Sequence, residues 1–240
     1  MSANVSTDNI AEQVHLNERS YHHGSLRPAL LEAASTQIER IGFEALSLRD
    51  LAASLDVSPA APYRHFADRR ALLAGLAADG FKQLGDRALA AIAKESTPCA
   101  RLVAGARAYL AFALQRPELF RLMFVSDLLT REEPRDPQLI QVAHGFHLQF
   151  EALVAENCVS KDEKAVKAAA LTFWSILHGF ALLRMGKRLM PFMLGSLADG
   201  ELREAVLEAA AAIPASIHSP RHARASRRAS NRRQRRGVPK

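Results

Sequence analysis

The stretch "SLRDLAASLDVSPAAPYRHF", residues 47–66, constrains the fold more than any other part of the chain. Ser47 and Asp50 form an S-x-x-D start, in which the hydroxyl caps a first helical turn and the acid reaches back. Leu48, Leu51, Ala52 and Leu55 then recur at helical spacing as a buried face. Asp56, Val57 and Ser58 make a tight turn, with aspartate at the position where glycine is usual. Aspartate is one of the few residues that enters a left-handed conformation at low cost. Beyond the turn, Pro59 and Pro62 punctuate a short run that ends in Tyr63, Arg64, His65 and the apolar Phe66. With Ser58 as cap, Pro59 occupies the favoured first helical position. Pro62 has no N–H for the first intrahelical bond and biases Ala61 away from helical angles. These residues predict a helix that begins near Ala61, or a distorted opening turn, with about one regular turn from Tyr63 to Phe66.

Helices flank this segment on both sides. In "SLRPALLEAASTQIERIGF", Leu26, Leu30, Ala34, Ile38 and Ile41 share one face, Ser25 is placed to cap, Pro28 sits in the first turn and Gly42 stops the helix. Asp68 caps a longer helix through "RRALLAGLAADGFKQLGDRALAAIAK". Three short helical patterns within about 45 residues, two of them joined by a tight turn, form a helix-turn-helix.

The rest of the chain reads as helix as well. "PCARLVAGARAYLAFALQ", "PELFRLMF", "QLIQVAHGFHLQFEALVAEN", "KDEKAVKAAALTFWSILHGFALLRMGKRLM" and "ELREAVLEAAAAI" carry helical periodicity, and "SDLLTREEPRDP" is a charged, proline-broken loop. No strand alternation or internal repeat is present, so the expected fold is all-α. The expected organisation is a disordered arm over 1–20, a helix-turn-helix domain over 21–80 with its motif at 47–66, a helical domain over 81–213 and a disordered basic tail over 214–240. The net charge of +7 belongs to that tail, which carries eight arginines, one lysine and no acid, so residues 1–213 sum to −2. No apolar run is read as a membrane span. The polar start lacks the apolar core of a signal peptide, and two cysteines without a C-x-x-C partner, Cys99 and Cys158, fit reduced thiols in the cytoplasm.

"YHHGSLRPALLEAA", Gly42-Phe43, "SLRDLAASLDVSPAAPYRHFADRRALL", "RPELFRLMF" and "FWSILHGFALL" together resemble the TetR family of bacterial one-component transcriptional regulators. The C-terminal half is similar to the branch with a Trp, His, Gly signature, matched by Trp174, His178 and Gly179. The resemblance implies a dimer with an N-terminal three-helix DNA-binding domain and a C-terminal effector-binding and dimerisation domain. It implies phosphate contacts for Ser47, Tyr63, His65 and Arg69, and base-edge contacts at the helix tip formed by Ser58, Pro59, Ala60 and Ala61. Arg70 departs from the acid often found at its position.

The chemistry of these groups agrees with such roles. A capping serine, a tyrosine, a histidine and an arginine are groups that fix register on phosphates. The methyl groups of Ala60 and Ala61 can meet thymine, and Arg64 is the side chain here able to grip a guanine bidentately. His22, His23 and Gly24 read as an arm before a helix rather than a metal site. In the long C-terminal helix, Thr172, Ser175 and Gly179 continue a small-residue stripe from Ala168 to Gly186, which suits a dimer interface shared with Leu202 and Val206. Trp174 and His178 lie one turn apart as a pocket wall or as plain core, and His144, His147, Phe120 and Met123 complete the expected ligand-binding set. His144, His147 and Glu151 share a face at spacings that could also hold a metal.

The expectation is a ligand-responsive repressor that binds a palindromic operator in double-stranded DNA as a homodimer and is released by a small hydrophobic or aromatic effector. It has no catalytic residues, cofactor, metal or membrane partner. Two alternatives belong to other classes: a helical-bundle metal-dependent enzyme built on His144, His147 and Glu151, and an architectural DNA-binding protein acting through its polybasic tail.

Overall fold

The computed structural model describes residues 26–130 and 136–217. The arm with His22, His23 and Gly24, the Ser25 cap and the tail beyond residue 217 lie outside the described residues. Every regular element among the described residues is helical, and the chain divides into two compact units after Leu76.

In the first unit, α1 (Leu26–Ile41) buries Leu30, Ala34 and Ile38 completely, one turn apart each. Ile41, which its spacing assigns to the same face, is instead 43 % exposed. The helix ends because Gly42 turns left-handed at φ 79 while its N–H bonds Ile38 O at 2.8 Å. α2 (Leu48–Ser54) begins at Ser47, whose extended backbone lets Oγ accept from Asp50 N at 3.4 Å. It closes in a Schellman motif. Asp56 adopts φ 52, Val57 N–H bonds Ala52 O at 3.0 Å and Asp56 N–H bonds Ala53 O at 3.3 Å. The aspartate thus occupies the left-handed position expected of it.

The proline-punctuated segment does not become an α-helix. Ala61 N–H bonds Ser58 O at 2.9 Å, and a 3-10 turn follows over Pro62–Arg64. Pro62 cannot donate to the carbonyl four residues back, so the chain tightens into bonds three residues apart, Arg64 to Ala61 and His65 to Pro62. Ala61 keeps right-handed helical angles, φ −62 and ψ −43, against the bias its following proline imposes, because it is bonded on both sides. Phe66 is buried with the Arg27 guanidinium 5.1 Å above its ring. α3 (Arg69–Ile92) starts on the Asp68 cap, whose Oδ1 accepts from Ala71 N at 2.7 Å.

The second unit packs α4 (Pro98–Gln115), α6 (Pro137–Asn157), α7 (Glu163–Met185) and α9 (Asp199–Ala211) side by side, with α5 (Pro117–Phe124) against α4. Thr97, Asp136 and Asp162 cap α4, α6 and α7 through backbone N–H groups three residues on. A short α8 (Pro191–Leu194) and a last turn, α10 (Ile213–Ser216), complete the unit. By length and composition α7 qualifies as apolar enough to cross a membrane, contrary to the reading that no run does. Ala169, Phe173, Leu177 and Ala181 nevertheless bury one side of it in the bundle, as a core helix requires.

Candidate functional sites: the helix-turn-helix face and an apolar cavity

The turn after α2 and the 3-10 segment present a small, exposed tip. Ser58, Pro59 and Ala60 are exposed, Ala61 is half-buried, and Pro62 turns its ring into the core. Behind the tip, Tyr63, Arg64 and His65 project outward, with Tyr63 54 % exposed. Its ring and hydroxyl therefore stand in water beside the Arg64 and His65 side chains. Arg49 on α2 is exposed as well and carries a charge that the residue-by-residue reading passes over.

Arg69 has an additional occupation. Its Nε donates to Leu46 O at 2.8 Å, and its Nη2 donates to Phe43 O at 2.5 Å and Glu44 O at 2.7 Å. The guanidinium therefore ties the α1–α2 loop to the start of α3 and satisfies three loop carbonyls. Two of its three nitrogens are committed within the fold, which sets it apart from Tyr63, Arg64 and His65.

The second unit holds a partly open cavity of about 640 Å³ between α3, α4, α6 and α7. Its walls are apolar and strongly aromatic, including Phe81, Phe124, Phe146, Phe150, Phe173 and Trp174. Of the six residues expected to bind ligand, Trp174 and His147 line this cavity. His178, Phe120 and Met123 lie off its wall, and His144 is exposed on the outer side of α6.

His178 instead joins a part-buried polar network around the buried Tyr109. Trp174 Nε1–H donates to Tyr109 Oη at 3.1 Å, and Tyr109 Oη sits 2.8 Å from His178 Nδ1. An indole only donates, so the phenol oxygen accepts there. A neutral imidazole protonated at Nε2 then takes the phenol hydrogen at Nδ1. Burial pushes the His178 pKa below its ordinary value and raises that of Tyr109, which favours this neutral arrangement. Phe120 stacks on the imidazole at 5.4 Å and Phe124 meets it edge-on at 5.4 Å, so α5 is joined to the same cluster. Sequence reasoning misses Tyr109. Its one signal is a hydroxyl-bearing ring within the apolar pattern of α4, and its partners lie 65 and 69 residues away.

Among the described residues no group of three or more His, Cys, Asp or Glu could hold a metal. His147 Nε2 pairs with Glu151 Oε2 at 3.4 Å, and the face they share with His144 opens partly on the cavity and partly outward. On α7, Thr172 and Ser175 are exposed and a Cβ added at Gly179 would meet nothing within 4 Å. Leu171 at 61 % and Leu183 at 43 % are exposed beside them, while Leu202 and Val206 on α9 are half-buried.

A helix-turn-helix head with an outward polar and aromatic face, followed by a helical unit around an apolar cavity, defines a DNA-binding transcriptional regulator. Residues 30–76 match the family profile described as bacterial regulatory proteins, tetR family, and residues 102–209 match tetracyclin repressor-like, C-terminal domain. The chain belongs to the TetR family, and it is a transcription factor rather than an enzyme. It is 25 % identical over 160 residues to YobS of Bacillus subtilis, an uncharacterized HTH-type transcriptional regulator, covering 67 % of this chain and 79 % of that protein. A Rhodococcus sp. RHA1 protein of unknown function is 33 % identical with a TM-score of 0.69, over 82 % of this chain and 99 % of the other. PfmR of Thermus thermophilus, a TetR family transcriptional regulator, shares the fold at 19 % identity and a TM-score of 0.53, over 77 % and 96 % of the two chains.

Proposed function

We propose that this protein is a ligand-responsive repressor acting in the cytoplasm, where a homodimer binds a palindromic operator and a small hydrophobic or aromatic effector in the cavity releases it. The observation that carries this reading is the partly open, aromatic-walled cavity of about 640 Å³ in a chain whose other unit is a helix-turn-helix. A site of that size and lining suits a small organic molecule. The exposed leucines and small residues on α7, extended by Leu202 and Val206 on α9, support a dimer face. Two heads so joined read half-sites about one DNA turn apart. The effector acts by preferring a state with a different head separation, since equal affinity for both states would shift nothing.

On the operator, Ser58, Pro59, Ala60 and Ala61 approach base edges, and Arg64 grips a guanine. Ser47, Tyr63 and His65 hold phosphates. Arg69 faces the same backbone while holding the α1–α2 loop in place. Selection of bound fragments from random DNA, followed by anisotropy titrations, tests the reading. Arg64→Ala is expected to relax preference at one base position, and Tyr63→Phe to weaken all sequences alike. Removal of residues 218–240 is expected to leave operator recognition intact. Selection that returns no palindrome, or binding indifferent to both substitutions, refutes the assignment.

A further inference from the structure

The cavity wall is apolar except along one edge, where α6 and α7 place His147, Gln149, Glu151 and Lys167. Glu151 and Lys167 are the formally charged residues of the lining, and they differ in what already neutralises them. Lys167 Nζ donates to Glu163 Oε1 at 2.7 Å, one helical turn back, and its side chain is 59 % exposed. The Glu151 side chain is 22 % exposed, and its ion-pair partner is an imidazole, His147 Nε2 at 3.4 Å. Lys167 reaches Glu151 through space, without a hydrogen bond between them. The His147 contact is longer than the 2.7 Å bond that holds Lys167 to Glu163, so Glu151 is the less tightly partnered of the two charges.

From this asymmetry we infer that the effector is a lipophilic organic cation, with an aromatic body inside the cavity and an amine or ammonium head held at Glu151. The inference rests on reading the cavity as the effector site. An anionic head would have to draw Lys167 away from Glu163 and lie beside the Glu151 carboxylate. A cationic head meets Glu151 while displacing at most its 3.4 Å contact with His147, in a half-buried setting where the attraction is stronger than in open water. Aromatic faces reinforce the same sign, because their quadrupole attracts cations. Phe150 adjoins Glu151 in the chain, stacks on Phe173 at 6.0 Å, and has the His147 ring 6.5 Å away. At the inner wall, Tyr109 and Trp174 direct their polar atoms to each other and to His178. That end therefore selects an apolar body and leaves the polar head to the Glu151 edge.

Trp174 is the chain's one tryptophan and lines the cavity, so its emission reports occupancy directly. The experiment titrates the full chain with biphenylbutylamine, biphenylbutanol and biphenylbutanoic acid, three ligands of one skeleton differing in head charge. The amine is expected to bind about tenfold tighter than the alcohol, and the acid most weakly of the three. Glu151→Gln is expected to bring the amine to the affinity of the alcohol and leave the alcohol unchanged. Equal binding of amine and alcohol to the unaltered chain, tightest binding by the acid, or an amine preference that survives Glu151→Gln overturns the inference. In each of those cases saturable quenching by the alcohol leaves the cavity reading standing. No saturable quenching by any of the three overturns both. The comparison in the unaltered chain decides the head charge even if the variant fails to fold.

Discussion

Tyr109→Phe removes one oxygen atom from the centre of the second unit and keeps the ring in place. The phenol is 6 % exposed, so the ring's packing against Phe120, 5.3 Å away edge-on, is preserved. The loss falls on two partners, the Trp174 indole N–H and His178 Nδ1. A buried polar group left without its bond costs about 1–3 kcal/mol. Trp174 borders the cavity and can regain a water molecule, whereas the His178 ring is packed between Phe120 and Phe124. Counting the histidine fully and the indole in part gives about 2 kcal/mol, or a melting decrease of about 4–8 °C for a chain of this size. Because the chain has two units, a global melt mixes their transitions. Trp174 emission during urea unfolding isolates the second unit. A double-mutant cycle with His178→Phe then tests whether the hydroxyl acts through the imidazole, with an expected coupling of about 1 kcal/mol or more. A change under about 0.5 kcal/mol, or strict additivity in the cycle, refutes the network as a source of stability.

Three further outcomes follow from the same geometry. Burial lowers the His178 pKa from its ordinary 6.5, so the unfolded chain takes up a proton at that site before the folded one. Stability contributed there is complete above about pH 6.5 and lost as pH falls toward the folded value, so urea midpoints should drop between about pH 7.5 and 5.5, with a flatter profile in His178→Asn. Arg69→Ala should lower the stability of the head by about 1–2 kcal/mol by releasing three loop carbonyls. A calorimetric transition unchanged by Arg69→Ala, with DNA affinity alone reduced, would assign the arginine entirely to phosphate binding. Asp56→Gly should raise head stability by up to about 1 kcal/mol, because φ 52 suits glycine better than aspartate, with operator affinity unchanged in anisotropy titrations.

Much of this protein is legible in its sequence because the deciding signals are local. Pro98 and Gln115 bound one helix and Pro117 and Phe124 another, as the residues predict, since caps, prolines and apolar spacing act within one or two turns. Asp56 marks its turn for the same reason. The head's residue pattern is specific enough to place the chain in its family. Tertiary structure decided the rest. The Arg69 guanidinium meets carbonyls 23 to 26 residues earlier, and no local pattern separates that bond from a free cation awaiting a phosphate. His178 and Trp174 are one turn apart on α7, yet one turns to a buried phenol and ring cluster while the other also borders the cavity. Periodicity states which residues share a helix face. Which neighbour that face meets, and how much space remains between them, depends on α3, α4, α6 and α7 coming together, and so does the charge at the edge of the cavity they line.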